Sequence, residues 1–214
     1  MDLFNNHEDW CIKLKPILVK YKERKHPLNY NNIYQLMIMV ILSAQDSDAN
    51  INTIAPTLFE KFPNINSLAQ ANHESLTTYL SKVRNFKTKV IWLLEIAQII
   101  KSDEDIPLSM EALTALKGIG RKSANVIMRE AKVAPIGIIA DLHVIRVSPR
   151  IGLTPEFKDG NRIEKELMKV LPKTIWGEIG MAISFLGREI CRPINPKCSF
   201  CPIQKDCIYP LKTI

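Results

Sequence analysis

Apolar side chains recur every three to four positions through most of the chain, the spacing of helices that bury one face. Between Asp9 and Lys20 the series is Trp10, Ile12, Leu14, Ile17 and Leu18. Ile33 to Leu42 is almost wholly apolar, as a helix enclosed on all sides requires. From Val90 to Ile100, the repeat Ile91, Leu94, Ala97 has Leu93, Ile96 and Ile100 beside it. The same spacing predicts helices over Leu108–Leu116, Lys122–Lys132, Leu142–Arg150, Arg162–Leu171 and Ile175–Phe185. Two have start signals: Ser109 with Glu111 in the turn that follows, and Asp159 ahead of Gly160, Asn161 and Arg162. Val133–Ala140 is the best strand candidate, but Pro135 and Gly137 interrupt it, so an extended connector is expected. Lys101 to Asp105 reads as a charged surface loop inside a domain. The pattern predicts an all-α protein of about ten short helices, with no internal repeat.

Length and composition narrow the class. A chain of 214 residues buries a core without staples, and 46% hydrophobic with 24% charged residues is an ordinary globular balance. The longest apolar run, Leu36 to Leu42, falls far short of the roughly 20 residues of a membrane span. The polar, acidic start from Met1 to Asp9 resembles neither a signal nor a transit peptide, so a cytoplasmic protein without membrane contact is expected. The net charge of +7 is a modest bias toward polyanions, nucleic acid first. Of five cysteines, four crowd into residues 191–207. In an intracellular chain such a cluster points to metal or cluster ligation rather than disulfides. Cys11 stands apart on an apolar helix face and is expected in the core.

Leu116-Lys117-Gly118-Ile119-Gly120-Arg121-Lys122-Ser123-Ala124 joins two predicted helices through a short turn. Glycines at 118 and 120 permit positive φ and close backbone approach. The turn amides, at the positive end of the following helix, suit a phosphate oxygen. On the two glycines alone, an ordinary helix–helix turn fits as well. Three further segments widen the pattern. They are Leu42-Ser43-Ala44-Gln45 with Asp48, then Asp141 with His143, Arg146 and Val147, and finally Cys191, Cys198, Cys201 and Cys207. In this order, across roughly residues 26 to 207, they resemble the hairpin, LSAQ-x-x-D, VDTH-x-x-R-V and iron–sulfur motifs of the endonuclease III family of DNA glycosylases.

That resemblance implies a helix-hairpin-helix DNA glycosylase fold, with two helical domains, a cleft between them and a C-terminal iron–sulfur cluster loop. Residues 26–132 would form the central bundle, and 1–25 with 133–214 the cluster domain. Lys122 matches the catalytic lysine, whose amine attacks C1′ of a flipped-out nucleotide and forms a Schiff base. Asp141 matches the catalytic aspartate, which assists the amine and stabilises positive charge developing on the sugar. It also stands where an N-cap is expected, and a carboxylate fixed by capping is preorganised. Gln45 corresponds to the residue that enters the duplex beside the extruded nucleotide. Gly118, Gly120, Arg121 and Ser123 would hold phosphate, as would Lys89 in the basic segment 81–89 and Lys197 and Arg192 in the cysteine loop. A charge run is also what a solvated face looks like, and a lone glutamine at a helix end is often a cap. For the four cysteines, only Cys198 and Cys201 form a CxxC knuckle, and Pro193, Pro196 and Pro202 shape a compact loop. A [4Fe–4S] cube suits that spacing better than zinc, with free thiols the remaining alternative.

The chain also departs from the family pattern. Lys117 stands for the hairpin proline, Ala140 for valine and Leu142 for threonine. Arg84-Asn85-Phe86 occupies the place of the Gly-Leu-Tyr whose apolar side chain wedges into the stack, and the helix before the cluster lacks the His-His-Trp. Specificity for oxidised pyrimidines therefore does not transfer. The expected function is base-excision repair by a monomeric glycosylase with abasic-site lyase activity on double-stranded DNA holding a damaged base or abasic site. The alternatives are a monofunctional glycosylase for mispaired or alkylated bases, and a non-catalytic iron–sulfur DNA-binding protein. Adenine-removing relatives replace the hairpin lysine, carry glutamate near Ser43 and add a C-terminal domain, whereas this chain keeps Lys122 and ends at Ile214.

Overall fold

The structure, a computed structural model, describes the backbone of residues 5–213 and the side chains of 9–213. Of the N-terminal stretch read above for targeting signals, Met1–Phe4 lie outside the described residues. Among those described there are eleven α-helices, three 3-10 turns and no strand. In chain order the helices are α1 Asn5–Tyr21, α2 Ile33–Ser43, α3 Asp48–Lys61, α4 Ile65–Ala69, α5 His73–Leu80 and α6 Phe86–Ile99. They continue as α7 Met110–Ala115, α8 Arg121–Glu130, α9 Leu142–Arg150, α10 Gly160–Val170 and α11 Trp176–Glu189. The all-α expectation is met, and no helix described is long and apolar enough to cross a membrane. The chain divides into two compact units, one of Lys25–Val133, the other joining the segment up to Arg24 to Ala134–Ile214.

The first unit is built around α2. Tyr34 and every residue from Leu36 to Leu42 are buried, and the helix is packed on by α3, α6 and α8. Each such aliphatic side chain contributes about 1.5–3 kcal/mol by leaving water. Short polar residues start the helices around it. Asn32, Ser47, Asn64, Asn72 and Ser109 each accept a hydrogen bond from the amide three residues on. Three of these helices, α3, α4 and α5, fall where the apolar spacing shows none. Pro56 and a run of Asn and Thr blur the stripe of α3, and α4 and α5 are too short to show one. Helix α6 begins at Phe86, four residues ahead of expectation, so the basic segment 81–89 is a loop only as far as Asn85.

In the second unit α11 is the buried axis, enclosed from Ile179 to Gly187. Two glycines allow this. A β-carbon on Gly180 would lie 2.5 Å from the Ile139 carbonyl oxygen, and one on Gly187 2.8 Å from the His143 β-carbon on α9. Helix α1 rests on the same axis: Tyr21 stacks on Phe185 at 5.6 Å, and Arg24 pairs with Glu189 at 2.6 Å. Leu14 and Ile17 supply its buried face. Cys11 does not join them; it is half-exposed, one turn short of the enclosed part of the stripe. Val133–Ala140 is irregular as expected, with Ile138, Ile139 and Ala140 buried.

Candidate functional site

The turn between α7 and α8 is shaped by its first glycine. Gly118 has φ +82°, and a β-carbon there would sit 2.6 Å from Cε3 of the Trp92 ring. Both the left-handed backbone and the indole forbid a side chain. Gly120 plays another part. It is the N-cap of α8, in extended backbone, and a β-carbon on it would meet nothing within 4 Å. Gly120 has no side chain to cap the helix, and its first turn carries Arg121, Lys122 and Ser123. Lys122 is exposed in that turn, while Arg121 and Ser123 are half-buried. Gly118→Ala is expected to cost about 2–4 kcal/mol in urea unfolding, against under about 1 kcal/mol for Gly120→Ala. Equal effects would contradict this division of roles.

Asp141 is the N-cap of α9, as its place in the sequence foretells. Its Oδ1 accepts from the amides of His143 and Val144, both at 2.9 Å. Its other oxygen, Oδ2, accepts from Ser184 Oγ at 2.6 Å, with Arg188 at 3.9 Å. Ser184 is fully buried on α11, between the two glycines that draw that helix inward. The carboxylate is thus held on both oxygens, and its orientation is set before any substrate arrives.

Cys191, Cys198, Cys201 and Cys207 line one cavity, walled by apolar groups including Ile151, Leu186 and Ile190. Two arginines from α9 brace its rim. Arg146 donates to the carbonyls of Gly187 and Cys191 at 3.0 and 3.2 Å. Arg150 donates to Cys191 Sγ at 3.6 Å and the Arg192 carbonyl at 2.8 Å, with its guanidinium 4.3 Å from the Tyr209 ring centroid. Burial pushes the Cys191 thiol up, and the hydrogen bond and charge of Arg150 oppose it. Burial raises Cys201 too, reinforced by the charges of the other three thiols. Four sulfurs at one apolar cavity, with guanidiniums beside them, fit a group that is cationic at its core and anionic once ligated.

The family described as HhH-GPD superfamily base excision DNA repair protein matches residues 38–173. The chain belongs to this superfamily. Endonuclease III of Synechocystis sp. PCC 6803 is 34% identical over 84% of this chain and 83% of its own length. Endonuclease III of Bacillus subtilis is 32% identical over 84% and 83%. A trapped endonuclease III–DNA covalent intermediate, an estranged-adenine complex, superposes with TM-score 0.84 at 29% identity, covering 94% of this chain and 95% of that one. The all-helical architecture is therefore the HhH-GPD fold.

Within that fold, one expected phosphate contact is overturned. Lys89 is 2% exposed on α6, and its ammonium donates to the Leu42 and Ala44 carbonyls at 2.7 Å each. It satisfies the end of α2 instead of reaching outward, and burial pushes its pKa down. Gln45 and Lys197 are exposed, each in its own unit. Arg192 is exposed beside Lys197 in the cysteine loop.

Two features escape the sequence reading. Ser184 carries no motif, since a lone serine in an apolar helix shows its partner only once the helix is packed. The other is a polar group in the hairpin's own unit. His26 Nδ1 accepts from the Leu28 amide at 3.1 Å, its ring meets the Tyr30 ring edge-on at 6.2 Å, and Tyr30 donates to Glu130, which also pairs with Arg129. Burial pushes His26 from 6.5 down to about 4; Glu130 and Asp48 oppose this, and Lys122 and Arg129 add to it. A histidine whose folded pKa is depressed binds its proton more readily when unfolded. Its contribution is complete above pH 6.5 and is lost as pH falls toward 4. His26→Asn keeps an acceptor for the Leu28 amide and is expected to flatten the fall of the urea midpoint across that window. Acid sensitivity equal to the wild type would contradict the assignment.

Proposed function

We propose that this chain is a base-excision DNA glycosylase with abasic-site lyase activity, in which the Lys122 amine is the nucleophile. The observation that carries the reading is an exposed lysine in the uncapped first turn of α8, directly after the Gly118–Gly120 turn. The positive end of α8 holds a phosphate beside the reacting sugar, which presents C1′ to the neighbouring amine. The neutral amine forms a bond to C1′ as the C1′–N bond to the base breaks, and the base leaves with that electron pair and a proton. The C1′–O4′ bond then opens, O4′ taking a proton, and leaves an iminium between C1′ and the lysine; removal of a C2′ proton expels the 3′ phosphate, and water hydrolyses the imine to return the amine. Asp141, held on both oxygens, would stabilise the positive charge that develops on the sugar. Ser184 acts through Asp141 as a positioning residue.

Cys191, Cys198, Cys201 and Cys207 would hold a [4Fe–4S] cluster, which supplies a folded C-terminal loop. Four sulfurs around one apolar cavity, only Cys198 and Cys201 among them in a CxxC pair, favour a polynuclear group over tetrahedral zinc. The loop would then present Lys197 and Arg192 to phosphate, and Gln45, Gly118, Gly120, Arg121 and Ser123 of the other unit would hold DNA as well. The substrate is duplex DNA with a damaged base or abasic site, bound by one copy of the chain in the cytoplasm. The test is incubation of purified protein with duplexes carrying single lesions or one abasic site, resolved on a denaturing gel. The reading requires cleavage at the abasic site and release of at least one damaged base; intact strands in every lane would refute it.

A further inference from the structure

The Ile119 amide donates to the Leu116 carbonyl at 3.2 Å, and Gly118 between them has φ +82°. A four-residue turn closed in this way, left-handed at its third residue, is of type II, and its second position favours proline. Leu116, with ψ 135°, is extended, as the residue ahead of a proline is. The backbone therefore calls for proline at 117, and this chain places lysine there. Proline would stabilise the turn by limiting the unfolded chain. A position that forgoes this for a long cation points to a use for the charge.

Lys117 Nζ meets the Glu95 carboxylate on α6, 3.0 Å from Oε1 and 2.9 Å from Oε2, with side chains 61% and 40% exposed. The partner is set in place by packing. One turn earlier on α6 stands Trp92, against whose ring Gly118 is pressed, and a β-carbon on Gly118 would lie 3.2 Å from Ile41 Cγ2 on α2. Turn, α6 and α2 thus meet at one point, and the ion pair lies on the surface beside it. A pair so exposed contributes little to stability. Residues 116–129 hold four cations and no acid, so Glu95 is an anion that the fold brings to a basic turn. Four residues beyond Lys117, α8 begins, with Arg121 and Lys122 in its first turn. A lysine on a flexible four-carbon stem therefore stands beside the helix end that attracts phosphate.

We infer that the Lys117 side chain is a phosphate ligand latched by Glu95 in the free protein, and that DNA releases the latch by taking the ammonium. The inference rests on the glycosylase reading above, which uses the turn and α8 but not this side chain. A phosphate oxygen replaces the carboxylate as partner of Nζ, and Glu95, already partly exposed, is left to water. While the latch is closed, the lysine's charge is cancelled at long range. It strengthens binding only where a phosphate is seated against the turn.

The experiment is binding of the full chain to a duplex with a tetrahydrofuran abasic analogue, across a range of salt, with a thermal midpoint for each variant. Lys117→Pro suits the turn, so its midpoint is expected to match or exceed that of the wild type. Its slope of log affinity against log salt should fall by about 1, and Lys117→Gln, which leaves the turn as it is, should show the same fall. Glu95→Gln keeps the shape and opens the latch, and is expected to raise affinity about threefold. With Lys117→Pro already present, the same change should matter less than about twofold, because no ammonium remains to release. A larger gain from Glu95→Gln without the lysine than with it would mean that Glu95 only repels DNA, and would overturn the inference. An unchanged salt slope in both Lys117 variants overturns it too, leaving a surface ion pair. Wild type with no preference for the abasic over an intact duplex overturns it together with the glycosylase reading.

Discussion

Lys122→Ala is expected to abolish strand cleavage at abasic sites, by at least about a thousandfold at saturating enzyme, while leaving the protein folded and bound to DNA. The side chain is exposed and its helix starts without it, so truncation opens no cavity and removes no cap. One phosphate contact at most disappears with the charge, lowering the slope of log affinity against log salt by about 1. Loss of rate with retained binding is the signature of a group needed in the transition state. Asp141→Asn provides the comparison. Asparagine still caps α9, so thermal stability is expected to hold, while turnover falls by about a hundredfold because the negative charge is gone. If Lys122 gripped only phosphate, extra enzyme would restore the rate of Lys122→Ala, and single-turnover measurements separate the two outcomes.

Cys198→Ser is expected to remove the cluster and unfold the loop that follows. Cys198 is the most buried of the four thiols, and the residues from Cys191 to Cys207 contain little regular structure beyond one 3-10 turn. A segment so short of helices would depend on the proposed cluster for its fold, since binding energy would there also be folding energy. The wild-type protein should be yellow-brown, absorbing near about 400 nm, with about four irons per chain. In Cys198→Ser both the colour and the iron should fall to background, and trypsin should cut at Lys197 and Lys205, which it leaves intact in the wild type. A colourless wild-type protein with one tightly held zinc would refute the cluster.

Eight helices are legible from apolar spacing because each buries a stripe long enough to repeat. The three that are not, α3 to α5, lie where local capping rather than periodicity carries the signal. Asn64 with Ser67 and Asn72 with Ser75 are reciprocal caps, visible to a search for asparagine three residues ahead of serine. The hairpin turn and the Asp141 cap are legible because their geometry is local: a glycine turn ahead of a helix, a carboxylate at a helix start. Lys89 misleads for the opposite reason. Its basic neighbours lie in sequence, while the carbonyls that claim it belong to α2, 45 and 47 residues away. Ser184 and the Lys117–Glu95 pair are long-range in the same way, created only when helices pack.

In the proposed mechanism one amine, on Lys122, becomes covalently joined to the sugar. Wild-type protein incubated with abasic duplex and sodium borohydride, digested and sequenced by mass spectrometry, tests it most directly. A reduced adduct is expected on the peptide containing Lys122 and on no other residue. An adduct on another lysine or on the N-terminal amine, or no adduct while strands are cut, would contradict it.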